Sequence, residues 1–186
     1  MIGFSVYGLF TKKPESVLGN YVADAIKIMA EKKFNKTITA AFVNSGGIRS
    51  YIPKGEITTG KIFEIMPFDN VIILQELDGK KLKQFLNHAC EKGGWPVSKN
   101  FSYSLKEKKL HEAFYNGILI NDTSKYIIAN SDYVANGGDN TEVLKKISKQ
   151  NMNYLIRDAI IDYTKLITAE GKPIDGKLEN RIFYAQ

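Results

Sequence analysis

The chain has 186 residues, 44% of them hydrophobic and 25% charged, with 26 Lys and Arg against 20 Asp and Glu for a net charge of +6. A chain of this mass buries about 70% of its unfolded surface, enough for one ordinary core, and the hydrophobic fraction excludes disorder and fibrous repeats. No apolar run approaches the length of a bilayer span, and the single cysteine, Cys90, cannot close an intrachain disulfide.

The first eleven residues, broken by Ser5, Tyr7 and Gly8, are too short and too polar for a signal h-region. A helix is predicted over 14–33, because Pro14 and Glu15 suit a first turn and Leu18, Val22, Ala25, Ile26 and Met29 repeat at helical spacing. The apolar run 38–43 reads as a buried strand that empties into Asn44-Ser45-Gly46-Gly47, a loop with turn chemistry. Thr58 or Thr59 caps a short helix stopped by Pro67, and 71–77 is a strongly apolar strand. The turn Asp78-Gly79 leads into a helix with Leu82, Phe85, Leu86 and Ala89 on one face, ended by Gly93-Gly94. Weaker strands are expected at 101–105 and 117–120 and a clearer one at 126–129, which runs into Asn136-Gly137-Gly138-Asp139. A helix is predicted over 151–168, carrying Leu155, Ala159, Ile160 and Tyr163 inward, and 181–184 closes the chain as an edge strand. The elements interleave without a strict βαβ rhythm, so the expected fold is α+β, a mixed β-sheet covered by helices in a single domain over 1–186.

Little in this chain resembles a reaction centre. Its two histidines, His88 and His111, lie far apart, and no metal-ligating or nucleophile motif is present, so no metal site is expected. His88 lies beside an apolar helix face and reads as a structural histidine, His111 as solvated, and Cys90 as a small core residue. The lysines are spread, densest at Lys106, Lys108 and Lys109, without the aromatic-interleaved stripe of a nucleic-acid binder.

Three segments stand out. Asn44-Ser45-Gly46-Gly47-Ile48-Arg49 offers paired glycines, which permit positive φ and close backbone approach, and a guanidinium fork suited to phosphate or ribose oxygens. Met66-Pro67-Phe68-Asp69-Asn70 puts an aromatic at a proline-stiffened corner. The stretch 131–139 places Tyr133 six residues before Asp139.

In this order and approximate spacing, N-x-G-G-I-R, P-F-x-N and the Tyr133 to Asp139 stretch resemble the carboxy-terminal, substrate-binding domain of the 5'-nucleotidase and UDP-sugar hydrolase family. Glu15, Gly19, Asn20, Asp24 and Ala25 match that family's helix pattern, and the likeness runs from about Lys12 to Phe183. The resemblance implies that Phe68 and Tyr133 sandwich a nucleobase and that Asp139 accepts hydrogen bonds from the ribose. It further implies that Asn44, and more weakly Asn70, address the base edge, that the Gly46 and Gly47 backbone lets the base approach, and that Arg49 holds ribose or phosphate oxygens. Family members usually carry phenylalanine at the place of Tyr133 and arginine at the place of Lys12, so this chain adds a phenol and exchanges a bidentate fork for a point charge. The family's catalysis belongs to a separate metallophosphoesterase domain with two divalent metals, which this chain does not contain. The chain alone is therefore expected to bind the nucleoside end of a substrate without a cofactor of its own and without cleaving it. The implied partners are a nucleotide and the metal-bearing domain or chain, and the implied location is the periplasm or cell exterior. A free-standing nucleotide-binding or sensor module is the alternative.

Overall fold

A computed structural model describes residues 1–186. After β1 (Gly3–Ser5), α1 (Val17–Phe34) starts three residues later than its periodicity predicts, because Ser16 is the cap: its backbone is extended and its Oγ accepts from the Gly19 amide at 3.0 Å. β2 (Ala40–Ala41) and β3 (Gly55–Ile57) follow, then α2 (Thr59–Ile65), capped by Thr58 and ended ahead of Pro67. β4 (Val71–Asp78) turns directly into α3 (Gly79–Glu91), whose cap Asp78 accepts from the Lys81 amide at 2.8 Å. That bond holds the Asp78 carboxyl below its ordinary range. Gly79 is obligatory at this corner, since a Cβ would sit 2.0 Å from the Asn121 carbonyl oxygen.

β5 (Phe101–Lys106) and β6 (Lys109–Tyr115) form a hairpin through Glu107 and Lys108, both at positive φ. β6 has no expectation from the sequence: along Lys109-Leu110-His111-Glu112-Ala113 only Ala113 is fully buried, so the alternation is masked. β7 (Ile118–Leu119), β8 (Lys125–Ser131), α4 (Asp132–Ala135) and α5 (Glu142–Lys145) come next. The helix predicted over 151–168 divides into β9 (Gln150–Leu155) and α6 (Ile156–Ala169). Edge pairing to β4 (Val71 with Leu155, Ile73 with Asn151) and the positive φ of Asn153 outweigh helical periodicity there. β10 (Ile182–Tyr184) is the expected edge strand.

The strands make two four-stranded mixed sheets, ordered β2-β8-β4-β9 and β10-β5-β6-β7, and a small β1-β3 ribbon. One core packs α1 and α6 against the first sheet through Leu18, Val22, Ile26, Ile72, Leu74 and Ile160. A second lies around α3 and the other sheet, where Phe42 packs edge-on to Phe85 and Phe101. Cys90 is buried in this core, as expected, and burial raises its thiol pKa to about 12. The carboxy-terminal segment is pinned to α1 by Arg181, which is 5% exposed and grips both Asp24 oxygens at 2.7 and 2.8 Å. Burial alone would lower the guanidinium pKa, but its bonds and proximity to Asp24 and Glu179 reverse the shift upward. No helix is long and apolar enough to cross a membrane.

Topology places the site. β2 and β8 run parallel, so the segments that follow them leave at the same end of the sheet. β4 is antiparallel to β8, so the segment preceding β4 arrives at that end too. Residues 44–47, 68–70 and 132–139, separated by up to 95 positions, thereby meet at one edge.

Candidate functional site

At that edge lies a cavity of about 410 Å³ lined by Asn44, Gly46, Gly47, Phe68, Asn70, Tyr133 and Asp139. The volume is in the range of small-molecule pockets. Seven of the nine residues expected from sequence share this lining. Phe68 and Tyr133 are 43% and 47% exposed, and neither stacks on another ring of the protein. Two large aromatics left open on the wall of one slot, each with a free face, suit a flat ligand.

Both rings stand on braced backbone. Asp132, beside Tyr133, accepts from the Val71 amide at 3.1 Å and so ties the tyrosine's helix to the strand that follows Phe68. At the start of α6, Arg157 pairs with Asp69, donates to the Phe68 carbonyl at 3.4 Å and stacks its guanidinium 4.6 Å over Phe63. The Ile156 amide donates to the Asn70 carbonyl at 2.9 Å. These contacts tie the backbone beside Tyr133 to β4 and the backbone around Phe68 to α6. One face of Tyr133 is closed by Gly138, where a Cβ would fall 2.6 Å from three ring atoms.

Asp139 is the polar centre of the slot. One carboxylate oxygen accepts from the Asn44 amide at 2.6 Å and the other from the Tyr133 phenol at 3.1 Å. The phenol in turn accepts from the Asp139 backbone N–H at 3.2 Å. A carboxylate has about four acceptor positions, so roughly two remain for a ligand's hydroxyls. Behind the loop, His88 Nε2 donates to the Asp139 carbonyl. Asn44 is thus committed partly to Asp139, rather than only to a base edge.

Four of the expected residues are placed in a more specific way. Gly46 and Gly47 do not adopt positive φ. Their lack of side chains serves space instead: a Cβ on Gly46 would meet only the Asn44 amide, at 3.9 Å, and would project into open volume, while one on Gly47 would crowd Asn44 and Val43 at 3.0 to 3.2 Å. Lys12 lies not in the slot but in an adjoining cavity of about 240 Å³ with Thr11, Ser16, Ser45 and Ile48, and Asn44 lines both. Arg49 lines neither; it is exposed, with its backbone N–H anchored on the Ile65 carbonyl at 2.8 Å.

Asp132, Arg157 and His88 were not singled out for the site by sequence reasoning. Asp132 had a usable signal, a short acceptor adjoining the candidate aromatic; Arg157 and His88 act across long sequence separations and carried none. No group of three or more His, Cys, Asp or Glu side chains converges so as to hold a metal ion, and the residues present do not fit a two-metal centre.

Residues 5–146 match the family model of the 5'-nucleotidase C-terminal domain. The chain is similar to the trifunctional nucleotide phosphoesterase protein YfkN of Bacillus subtilis, 29% identical over 184 residues, covering 90% of this chain and 12% of that protein. It is also similar to the cell wall protein Lmo0130 of Listeria monocytogenes, 27% identical over 193 residues, covering 91% of this chain and 24% of that protein. Among solved structures, a 5'-nucleotidase precursor from Thermus thermophilus superposes with a TM-score of 0.87 at 25% identity, over 100% of this chain and 39% of that one. The chain therefore spans well under half the length of these relatives.

Proposed function

The chain belongs to the 5'-nucleotidase C-terminal domain family, and from that premise we propose that it is the nucleotide-recognition domain of a phosphohydrolase releasing phosphate from nucleoside 5'-phosphates. The observation that carries the reading is that Phe68 from one segment, and Tyr133 and Asp139 from another more than sixty positions away, line one slot. In this reading the base stacks between the rings, its ribose hydroxyls donate to the free positions of Asp139, and Asn44 and Asn70 meet its polar edge. The phosphate end then extends along the adjoining cavity toward Lys12, with Arg49 free on the surface to reach it. Lysine gives this end a point charge where a guanidinium would give a bidentate grip.

Bond cleavage is assigned to a metal-bearing domain, in the same polypeptide or another, because this chain's acidic and histidine side chains do not assemble a metal centre. Two divalent metals held there would supply the activated water and the charge stabilisation of phosphoryl transfer. What this domain contributes is orientation, fixing the nucleoside so that its phosphate is presented in one place. An extracytoplasmic location accords with a relative described as a cell wall protein.

The test is calorimetric titration of AMP into wild type, Phe68→Ala and Tyr133→Ala. Base–aromatic stacking is worth about 1 to 3 kcal/mol, so each variant should bind about 5- to 150-fold more weakly. Equal affinities across the three proteins contradict the proposal. In parallel, AMP with Mg²⁺, Mn²⁺ or Zn²⁺ should yield no phosphate from this chain alone, and turnover that persists through repurification contradicts the division of labour.

A further inference from the structure

We propose that His88 is a positioning residue for the ribose acceptor Asp139, an inference that rests on the nucleotide reading above and adds to it a group outside the slot. Asp139 has φ 54 and ψ 27, and Asn140 follows it at φ 66, two consecutive left-handed L-residues after Gly137 at φ 92. Such a backbone persists only where its surroundings hold it. Two contacts on Asp139 do so. Tyr133 binds its amide N–H and its carboxylate, but that ring is itself exposed and stands where a ligand would lie. His88 binds its carbonyl from behind, from the rigid helix α3.

The imidazole is well seated for this role. Its side chain is 16% exposed and packs edge-on to the buried Trp95, with ring centroids 6.0 Å apart at 86°. A carbonyl oxygen can only accept, so the proton of this bond resides on Nε2, leaving Nδ1 toward Glu91 at 3.5 Å. Removing the donor strands a carbonyl in a partly buried site and frees the left-handed turn to relax, which swings the carboxylate away from the position that Asn44 and Tyr133 mark. His88 touches no ligand in this scheme. It acts through Asp139.

The readout is the ratio of affinities for a nucleoside and its 2',3'-dideoxy analogue, measured with adenosine and uridine on wild type, His88→Gln and His88→Leu, each checked for folding by circular dichroism. Hydrogen bonds to a charged acceptor make wild type discriminate by about 10-fold or more. His88→Gln, which keeps a donor, should retain most of that ratio, and His88→Leu should bring it near unity while leaving dideoxynucleoside affinity within about 2-fold. A leucine variant that discriminates like wild type, or a glutamine variant that has lost the ratio as fully as leucine, overturns the inference. Should wild type itself bind both nucleosides equally, the ribose reading of Asp139 fails, and the inference with it. Independently of any variant, nitrogen-15 NMR of the wild-type imidazole at a pH of about 8.5, well above the ordinary histidine range, should show the Nε2–H tautomer, and the Nδ1–H tautomer overturns the inference.

Discussion

Gly138→Ala separates ligand recognition from folding more cleanly than truncating the aromatic. Gly138 does not sit at positive φ, so alanine is compatible with its backbone, and restricting the unfolded chain contributes about 0.4 to 1 kcal/mol toward stability. The new Cβ, however, would lie 2.6 Å from three Tyr133 ring atoms, so the ring has to move. The ring is 47% exposed, and moving it sacrifices two hydrogen bonds of 3.1 and 3.2 Å near the surface, offsetting about 1 kcal/mol. The two contributions nearly cancel, and the urea midpoint should shift by no more than the equivalent of about 1 kcal/mol. Affinity should not be spared, because a ring rotated out of the slot forfeits a stacking partner worth about 1 to 3 kcal/mol, roughly a 5- to 150-fold loss. Paired urea unfolding and adenosine calorimetry measure both quantities on one preparation. Wild-type affinity in Gly138→Ala would refute the proposal that a base stacks on Tyr133, and a stability loss beyond about 3 kcal/mol would refute the claim that its ring moves cheaply.

Arg181→Ala leaves Asp24, which is mostly buried, without its bidentate partner and should cost about 3 to 5 kcal/mol in denaturant unfolding; a loss below about 1 kcal/mol would show that the pin contributes little. Burial raises the Cys90 thiol from 9.0 to about 12 and the Tyr163 phenol from 10.0 to about 12. The folded state therefore keeps these protons where the unfolded chain releases them, so their stabilisation is intact below about pH 9 and is lost as pH rises toward 12. Urea midpoints at about pH 8, 9.5 and 11 should fall in that order, and a flat series contradicts the shifts. Tyr133→Phe keeps the ring and loses the bonds to Asp139, so adenosine should bind at most about 10-fold more weakly, short of the Tyr133→Ala loss; equal losses would mean that the phenol, not the ring face, carries recognition.

The parts of the site written as local words were legible in the sequence. Asn44-Ser45-Gly46-Gly47, Pro67-Phe68 and Asn136-Gly137-Gly138-Asp139 announce turns by composition, and the topology of β2, β8 and β4 brings them to one edge. What supports them was not, because it depends on partners distant in sequence. Arg157 lies 89 positions from the Phe68 carbonyl that it meets, and His88 lies 51 from Asp139. Elements failed for similar reasons. β9 carries residues that continue the periodicity of α6, and only its pairing to β4 makes it a strand. β6 buries one small residue, Ala113, between Glu112 and Phe114, so its alternation shows only once β5 is beside it.

A structure of the chain with a nucleoside soaked into the slot tests the central claim most directly. The expected result is a base lying flat between Phe68 and Tyr133 with its ribose hydroxyls within hydrogen-bond distance of Asp139. A nucleoside seated elsewhere on the protein, with the slot open and both rings uncovered, would contradict it.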